Sequence, residues 1–316
     1  MSILLDDVYV VTGGAGFIGS RIVKGLNTQG LNIVVVDDLT DGSKIFNLND
    51  CDVFDYMDKT EFLKAIVEDR IPWKIKGISH QGAFVDTLMV DGKAMMENNY
   101  TYSKILLDYA VHHRIPFVYA SSASVYGVQE NVEQMIGNEC PANVYAYSKY
   151  LFDKYAQSKY KYARSSIIGL RYFNVYGSNE DHKGPMKSAI SLFIHQLKTT
   201  NTMKLFEGSD RYKRDFVHVE DVVATNMSCL LVLGNTSAIY NVGSTQARSF
   251  KEISNILIKR HTGSKIEYIP MPDNLKNQYQ KYTCGNFNTL LGDYKHTTLE
   301  EGIDTVLKER GQNGNK

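Results

Sequence analysis

The stretch TGGAGFIGS, at residues 12–20, decides the fold of this chain. An apolar run, VYVV at residues 8–11, precedes it and is typical of a buried parallel strand. An apolar helical pattern follows it from Phe17 to Leu26. Such a turn needs glycines because a side chain would keep a pyrophosphate away from the backbone amides; here they are Gly13, Gly16 and Gly19. The strand, turn and helix together predict a dinucleotide-binding site.

A second apolar run, IVVV at residues 33–36, is followed by Asp37. An acidic residue at the end of this strand can accept a hydrogen bond from the adenosine ribose, which favours NAD with its free 2′-hydroxyl. Lys44 and Lys59 instead offer positive charge to the 2′-phosphate of NADP. Asp52 follows the predicted third strand, where a contact with adenine is expected. The residues alone therefore leave both cofactors open.

Strand and helix patterns alternate along the rest of the chain. Strand-like runs occupy residues 75–80, 116–121, 167–173 and 239–242, and helical patterns occupy residues 58–70, 92–113, 143–163 and 186–199. This alternation predicts an α/β fold, a Rossmann-type doubly wound parallel sheet with a smaller, mixed α/β C-terminal substrate domain. The predicted dinucleotide-binding domain is 1–174, with 217–242 returning to it, and the predicted substrate-binding domain is 175–216 and 243–316.

Composition excludes several classes of function. The 316 residues carry 35 Lys+Arg against 35 Asp+Glu, and this zero net charge argues against a nucleic-acid partner. No apolar stretch is long enough to span a membrane, and the N-terminal residues lack a signal-peptide pattern. The four cysteines are widely spaced and the histidines form no cluster, so no disulfide framework and no metal site are predicted. We expect a cytoplasmic protein without a membrane partner.

A tyrosine and a lysine four positions apart on a helix share one face, where the lysine can lower the tyrosine pKa. The sequence holds four such pairs, Tyr100/Lys104, Tyr145/Lys149, Tyr150/Lys154 and Tyr155/Lys159. Position selects among them, because the strand PFVYASS ends with Ser122 at the carboxyl edge of the predicted sheet and Tyr145 lies early in the next helix. We therefore predict Ser122, Tyr145 and Lys149 as catalytic, and the other pairs as packing and surface residues.

Five motifs, TGGAGFIG, SSASVYG, YAYSK, RYFNVYG and RDFVHVEDV, resemble the extended short-chain dehydrogenase/reductase family over most of the chain. The resemblance implies an enzyme that oxidises a hydroxyl of a nucleotide sugar, alters the keto intermediate and often returns the hydride. In the 4,6-dehydratase branch, Asp-Glu follows the catalytic Thr. Here Ala123 and Ser124 follow Ser122, which counts against dehydration.

Longer segments, among them RYFNVYGSNEDHKGPM, DDLTDGSKIFNL, MMENNYTYSK and EYIPMPDNLKNQYQ, closely resemble the ADP-glycero-manno-heptose 6-epimerase family over nearly the whole chain. The resemblance implies a cytosolic homo-oligomer, dependent on NADP with NAD possible, that supplies heptose for lipopolysaccharide. Its nucleotide-diphosphate sugar substrate is oxidised at C6 and reduced again from the opposite face. Tyr145 would be one acid/base and Lys183, in HKG, the second, while Lys149 would hold the cofactor ribose.

The resemblance also assigns binding residues. The positions predicted to bind the cofactor are Gly13, Gly16, Phe17, Ile18, Gly19, Asp37, Asp38, Lys44, Asp52, Val53, Lys59, Gln81, Gly82, Ala83, Asn98, Tyr145, Lys149, Val175 and Lys183. Those predicted to bind substrate are Ser122, Asn174, Phe206, Glu207, Gly208, Ser209, Arg214 and Tyr279. Arg214 also makes chemical sense, because a guanidinium fork suits a diphosphate.

Departures from the family pattern fall at positions expected to line the sugar and nicotinamide ends of the site; they are Gln81, Phe84, Val85, Asp86, Leu88, Pro185 and Leu192. They leave open an epimerase, or a net dehydrogenase or reductase of the same family, that acts on another nucleotide-linked heptose or hexose. A third hypothesis is a non-catalytic module that senses a dinucleotide. The retained Tyr145 and Lys149 argue against it.

Overall fold

A computed structural model describes residues 6–128, 134–276, 279–285 and 294–313. Residues 277 and 278 of the segment EYIPMPDNLKNQYQ lie outside these ranges. Contacts divide the described residues into two units. The first comprises the described parts of Met1–Ser122, Asn143–Arg171 and Val223–Tyr240, and the second those of Ala123–Ala142, Tyr172–Val222 and Asn241–Lys316. The domain boundaries predicted from the sequence stay a prediction.

Strands and helices alternate through the first two thirds of the chain. The strands are β1 (Asp7–Thr12), β2 (Ile33–Asp37), β3 (Asp55–Asp58), β4 (Lys74–His80), β5 (Phe117–Ser122), β6 (Ile167–Tyr172), β7 (Asn174–Tyr176), β8 (Thr202–Phe206), β9 (Lys213–His218), β10 (Ala238–Val242), β11 (Ala247–Ser249) and β12 (Lys265–Ile269). The α-helices are α1 (Phe17–Asn27), α2 (Lys59–Val67), α3 (Gly92–Met96), α4 (Tyr102–His113), α5 (Val144–Lys159), α6 (Ala189–Thr200), α7 (Val219–Leu231), α8 (Phe250–Arg260), α9 (Asp273–Lys276) and α10 (Leu299–Asn313).

The main sheet has seven strands in the order β10-β6-β5-β4-β1-β2-β3. The parallel register pairs Thr12 with both Val36 and His80, and His80 with Tyr119. The carboxyl ends of β1, β2, β4 and β5 therefore meet at one edge, where the strand order reverses and open α/β sheets bind ligands. Every residue of β2 is buried, as expected for an inner parallel strand. The predicted Rossmann-type fold is confirmed.

The third strand begins later than predicted. β3 pairs with β2 from Asp55 onward, so Asp52 precedes this strand and does not follow it. The backbone amide of Asp52 donates to Asn27 Oδ1 at 2.9 Å, and the Asp52 carbonyl accepts from Asn27 Nδ2 at 2.8 Å. Asp52 and Val53 thus lie in a turn that is tied to the end of α1. The apolar residues before Asp52, where the predicted third strand would lie, belong to a 3₁₀ helix, Gly42–Leu48.

The helix predicted over residues 92–113 is divided by a π-helical turn, Glu97–Thr101, between α3 and α4. Asn99 in this turn is 1% exposed. Its side chain accepts a hydrogen bond from the Phe84 amide at 2.8 Å and donates one to the Phe84 carbonyl at 2.9 Å. The wider turn directs Asn99 inward, where it satisfies the backbone of a loop that has no strand partner.

The second unit is the smaller mixed domain that the sequence predicts. One sheet has the order β11-β9-β7, in which β9 is parallel to β7 and antiparallel to β11. A second, two-stranded sheet pairs β8 with β12. Their core includes Ile190, Ile194, Leu205, Phe216 and Ile303. Within the ranges that the structure describes, no helix has the length and apolar character needed to cross a membrane.

Candidate active site

The glycine-rich turn after β1 is packed too tightly for side chains. Gly13 has a φ of +65°, and a Cβ added there would lie 2.6 Å from the amide nitrogen of Gly82. A Cβ on Gly19 would overlap the carbonyl oxygen of Gly13. Gly16 is the residue before α1, and as a glycine it supplies no side chain to cap this helix start. The turn and the helix start therefore fit a dinucleotide pyrophosphate, which needs close approach to bare backbone amides.

A pocket of the first unit opens beside this turn. Its empty volume, part of which is open to solvent, is about 510 Å³. Eight predicted cofactor residues line it, namely Gly13, Asp37, Asp38, Lys44, Lys59, Gly82, Ala83 and Asn98. Thr12, Val36, Phe84 and Tyr102 line it as well and were not assigned to the cofactor from the sequence. Tyr102 follows Asn98 by one helical turn, and this spacing is the signal that could have found it.

Two carboxylates and two lysines are paired at this pocket. Lys44 Nζ lies 3.0 Å from Asp37 Oδ1, and the other oxygen of the buried Asp37 accepts from the Ala15 amide at 2.9 Å. Lys59 Nζ lies 3.1 Å from Asp38 Oδ2. Hydrogen bonds from Thr40, followed by Lys59, hold the pKa of Asp38 well below its usual range. Each carboxylate thus forms an ion pair with a lysine, so that the Asp37 group expected to bind the ribose contacts one of the lysines expected to bind a 2′-phosphate.

The other predicted cofactor residues lie elsewhere. Phe17, Ile18 and Gly19 form the start of α1, Asp52 and Val53 lie in the turn before β3, and Val175 and Lys183 belong to the second unit. Gln81 follows β4, and its side-chain amide donates to Ser79 Oγ at 3.0 Å and to Asn226 Oδ1 at 3.1 Å. Most of the predicted cofactor residues of the first unit therefore belong to the glycine turn or line the pocket. Asp52 and Val53 are not among the residues that line the pocket.

Ser122, Tyr145 and Lys149 come together in the first unit. Ser122 is the last residue of β5, Tyr145 is the second residue of α5, and their side chains are hydrogen-bonded. Lys149, 6% exposed, lies one turn further along α5 and donates to the Ala120 carbonyl oxygen at 2.9 Å. The strand end and the helix start therefore bring a hydroxyl, a phenol and an ammonium group to the ligand-binding edge of the sheet.

The pKa of Tyr145 differs from the expectation. Burial raises it, and the hydrogen bond with Ser122 opposes that rise without reversing it. The expected lowering by Lys149 does not contribute to this pKa, and the Lys149 ammonium group donates to the Ala120 carbonyl. Burial also lowers the pKa of Lys149 to about 8, with Asp153 acting in the opposite direction. The surroundings thus raise the pKa of the tyrosine and lower that of the lysine.

A buried ion pair that the sequence did not indicate lies one turn beyond Lys149. Asp153 is fully buried and Arg171 is 1% exposed, and two guanidinium nitrogens donate to one Asp153 oxygen at 2.9 Å. Ser121 Oγ donates to the same carboxylate at 3.0 Å, and Tyr119 donates at 3.1 Å. Lys149 and Asp153 thus fasten α5 to the three residues of β5 that precede Ser122. The spacing of four residues from Lys149 is the one signal in the sequence that could have suggested Asp153.

Lys183, the predicted second acid/base, belongs to the second unit. It lies in a 3₁₀ turn over Asp181–Met186, followed by Gly184 at a φ of +51°, a conformation that favours glycine. Its Nζ is 3.3 Å from Glu180 Oε2, and its side chain is 21% exposed. Glu180 itself is fully buried and was not predicted from the sequence.

Arg214, Phe206 and Tyr279 also come together in the second unit. The buried Arg214 guanidinium lies 4.9 Å from the Tyr279 ring centre and 5.7 Å from that of Phe250, and burial lowers its pKa. The Phe206 and Tyr279 rings are 6.1 Å apart. Of the other predicted substrate residues, Asn174 begins β7, and Glu207, Gly208 and Ser209 follow β8. A guanidinium held between aromatic rings is suited to bind an anion.

The chain matches known proteins along nearly its whole length. The model of the NAD dependent epimerase/dehydratase family matches residues 9–243. The structure of the ADP-L-glycero-D-manno-heptose-6-epimerase of Helicobacter pylori is 30% identical, with 98% of each chain covered and a TM-score of 0.83. The UDP-glucose 4-epimerase of Thermus thermophilus, solved with NAD, is 26% identical over 96% of this chain and 99% of that one, with a TM-score of 0.80.

A UDP-glucose 4-epimerase of Thermotoga maritima, at 23% identity over 97% of this chain and 99% of that chain, shares the fold with a TM-score of 0.82. These matches confirm the family resemblance inferred from the sequence motifs. The chain is therefore an enzyme that belongs to the NAD dependent epimerase/dehydratase family.

Proposed function

We propose that this enzyme is an ADP-D-glycero-D-manno-heptose 6-epimerase that uses NADP. The observation that carries the proposal is the 30% identity with the Helicobacter pylori heptose epimerase over 98% of both chains. The contact between Ser122 and Tyr145 at the edge of the sheet supports the chemistry. Oxidation of a sugar hydroxyl and its reduction both require a proton acceptor and donor beside the reacting oxygen.

The residues of the first unit would act on one face of the sugar. A bound nicotinamide supplies the acceptor and donor of hydride at C6. Tyr145 accepts the proton of the C6 hydroxyl of one epimer when that epimer is oxidised, and returns a proton only when the same epimer is formed again in the reverse reaction, while Ser122 donates a hydrogen bond to the same oxygen. Because burial raises the pKa of Tyr145, its hydrogen bond with Ser122 is what favours deprotonation in the structure. Lys149 holds the cofactor ribose beside them.

Lys183 would be the second acid/base. Inversion at C6 requires that the oxygen exchange its proton on two opposite sides, and one tyrosine serves only one of them. The side chain of Lys183 is 21% exposed and its Nζ contacts Glu180, so the amine is held in place but stays accessible. These properties are those expected of a general acid.

NADP is proposed because two lysines line the predicted cofactor pocket. We expect Lys44→Ala and Lys59→Ala each to weaken NADP binding by about tenfold or more, since each removes a charge-assisted hydrogen bond to the 2′-phosphate. Binding of NAD should change by less than about threefold. Fluorescence titration of both cofactors against both variants measures this difference. Equal losses for NAD and NADP would instead favour NAD, with Asp37 accepting from the ribose 2′-hydroxyl.

The function is tested with a panel of ADP-, GDP- and UDP-linked sugars, with the products identified by NMR. We expect ADP-D-glycero-D-manno-heptose to be inverted at C6 without net formation of reduced nicotinamide. Stoichiometric accumulation of reduced cofactor would show a net dehydrogenase. If the enzyme epimerises another sugar nucleotide and not the heptose, the proposed substrate is wrong, while the proposed reaction type stands.

A second candidate function is epimerisation of another nucleotide-linked heptose or hexose. The loop after β4 departs from the heptose epimerase pattern, and its apolar side chains Phe84, Val85 and Leu88 are 37%, 47% and 41% exposed. Phe84 also lines the cofactor pocket. A bulky apolar loop beside the cofactor would favour a substrate of different shape, and the same panel of sugars distinguishes the two functions.

We further propose a cytoplasmic homo-oligomer that works in lipopolysaccharide synthesis, by resemblance to the heptose epimerase family. Light scattering on the purified enzyme tests the assembly, since a mass near 35.7 kDa would show a monomer. Cell fractionation tests the compartment.

A further inference from the structure

The carboxylate of Glu180 is the centre of a hydrogen-bonded cluster in the second unit. It is fully buried and accepts hydrogen bonds from the Ser188 amide at 2.6 Å, the Ser188 hydroxyl at 2.7 Å and the Ser191 hydroxyl at 2.6 Å. Burying a carboxylate is costly unless it is hydrogen-bonded, and these donors compensate for the lost water. The cluster fixes the start of α6. One oxygen of the carboxylate, Oε2, also contacts a cation.

That cation is Lys183. Its Nζ lies 3.3 Å from Glu180 Oε2, because residues three apart in a 3₁₀ turn lie on the same side. The neighbouring Asp181 has a side chain that is 79% exposed, and it pairs with Lys187 at 3.1 Å. The turn therefore holds two adjacent carboxylates, of which the buried one contacts Lys183 and the exposed one pairs with Lys187 and Arg310.

We propose that Glu180 is a positioning residue that holds Lys183 in the place from which it exchanges a proton with the sugar. This inference rests on the proposed role of Lys183 as the second acid/base. A buried, fixed carboxylate is better suited to this task than a surface carboxylate, because hydrogen bonds from Ser188, Ser191 and the Gly177 amide fix its own position. Without Glu180, the flexible lysine side chain would lose the orientation that catalysis needs.

A double-mutant cycle tests the proposal, with Glu180→Gln, Lys183→Met and the double variant measured as kcat and KM for epimerisation. We expect Lys183→Met to lower kcat by about 10²- to 10⁴-fold, the usual loss for a general acid or base. Glu180→Gln should lower kcat by about 10- to 100-fold with KM within about threefold, since positioning acts on the reaction step. The double variant should be no slower than Lys183→Met alone.

Asp181→Asn is the matched control, because it removes the adjacent exposed carboxylate, and its kcat should stay within about twofold of the wild type. Thermal unfolding checks that each variant folds. Should Glu180→Gln fail to fold, Glu180→Asp keeps the charge but withdraws it from Lys183 by one methylene group. Its kcat should then fall at unchanged KM, again only where Lys183 is present.

Two outcomes overturn different claims. If the loss caused by Glu180→Gln or Glu180→Asp persists in full in the Lys183→Met background, Glu180 is structural and the positioning role is rejected, while the proposed function stands. If Lys183→Met alone leaves kcat unchanged, Lys183 is not the second acid/base, and the inference falls with that part of the proposed function.

Discussion

Helix α5 carries the same Tyr-x-x-x-Lys spacing at both of its ends, in two different surroundings. At its start, Lys149 is buried and donates to the Ala120 carbonyl of β5 at 2.9 Å. At its end, Lys159 forms an ion pair with Asp108 at 2.7 Å and lies 4.6 Å from the centre of the Tyr155 ring. The spacing supplies the two groups, and the neighbouring elements decide what they can do.

The two tyrosines differ in the same way. Tyr145 is hydrogen-bonded to Ser122, which opposes the rise in its pKa caused by burial. Tyr155 donates to the Asp108 carboxylate at 2.7 Å and 2.9 Å. Burial raises the pKa of Tyr155, and Asp108 raises it further while Lys159 opposes them. A phenol that donates to a carboxylate is harder to deprotonate, and we therefore propose that proton transfer occurs at Tyr145 and not at Tyr155.

The largest expected effect is on catalysis. Tyr145→Phe should lower kcat of the epimerase by about 10³-fold, because it removes the proton donor and acceptor and keeps the ring. Tyr155→Phe is the matched control at the other end of α5 and should leave kcat within about twofold. Product formation by NMR measures both. Equal activity of the two variants would show that Tyr145 is not the proton donor and acceptor of the reaction.

The next largest effect is on stability. Asp153→Asn should lower the free energy of unfolding by about 3 kcal/mol or more, because it leaves the buried Arg171 guanidinium without a charged partner. Asp108→Asn removes an ion pair in which the Asp108 side chain is 47% exposed, and should cost less than about 1 kcal/mol. Urea unfolding measures both. A small cost for Asp153→Asn would mean that the pair does not fasten α5 to β5.

A second variant separates charge from packing at this pair. Replacing Asp153 and Arg171 together by Leu and Met removes both charges and should recover much of the lost free energy of unfolding. No recovery would attribute the loss to the hydrogen bonds from Tyr119 and Ser121 rather than to the unpaired guanidinium.

Structural features that depend on residues close together in the sequence could be predicted from the sequence. The turn at residues 12–20 and the alternation of strands and helices follow from local periodicity and glycine spacing, and both are confirmed. The position predicted for Asp52 was wrong, because the apolar residues before it belong to a 3₁₀ helix, Gly42–Leu48, and the third strand begins only at Asp55. Ser122, Tyr145 and Lys149 stay a predicted site, although the structure brings them together.

Features that depend on contacts between distant segments could not be predicted. The π-helical turn at Asn99 serves the backbone of Phe84, and the partner of Asp153 comes from a different element of the chain. Nothing local to Glu180 indicates that it is buried, since its hydrogen-bond donors include the first turn of α6. The lowered pKa of Lys149 likewise results from burial by the folded chain.

The smallest expected effect is the pH dependence of stability, and it compares the two lysines directly. Burial lowers the pKa of Lys149 from 10.5 to about 8. Between these values the unfolded chain binds a proton at Lys149 that the folded chain does not, so stability rises with pH. Between pH 8 and pH 9.5, the wild type should therefore gain about 1.5 kcal/mol of unfolding free energy relative to Lys149→Met.

Lys159 provides the control, because burial disfavours its charge but the hydrogen bond with Asp108 outweighs this and raises its pKa. The ammonium group of Lys159 thus stays charged in both folded and unfolded chains through this window, and Lys159→Met should follow the pH dependence of the wild type. Urea unfolding at closely spaced pH values measures the three curves. Parallel curves for the wild type and Lys149→Met would show that Lys149 is not a desolvated cation, and the contrast between the two ends of α5 would then rest on the tyrosines alone.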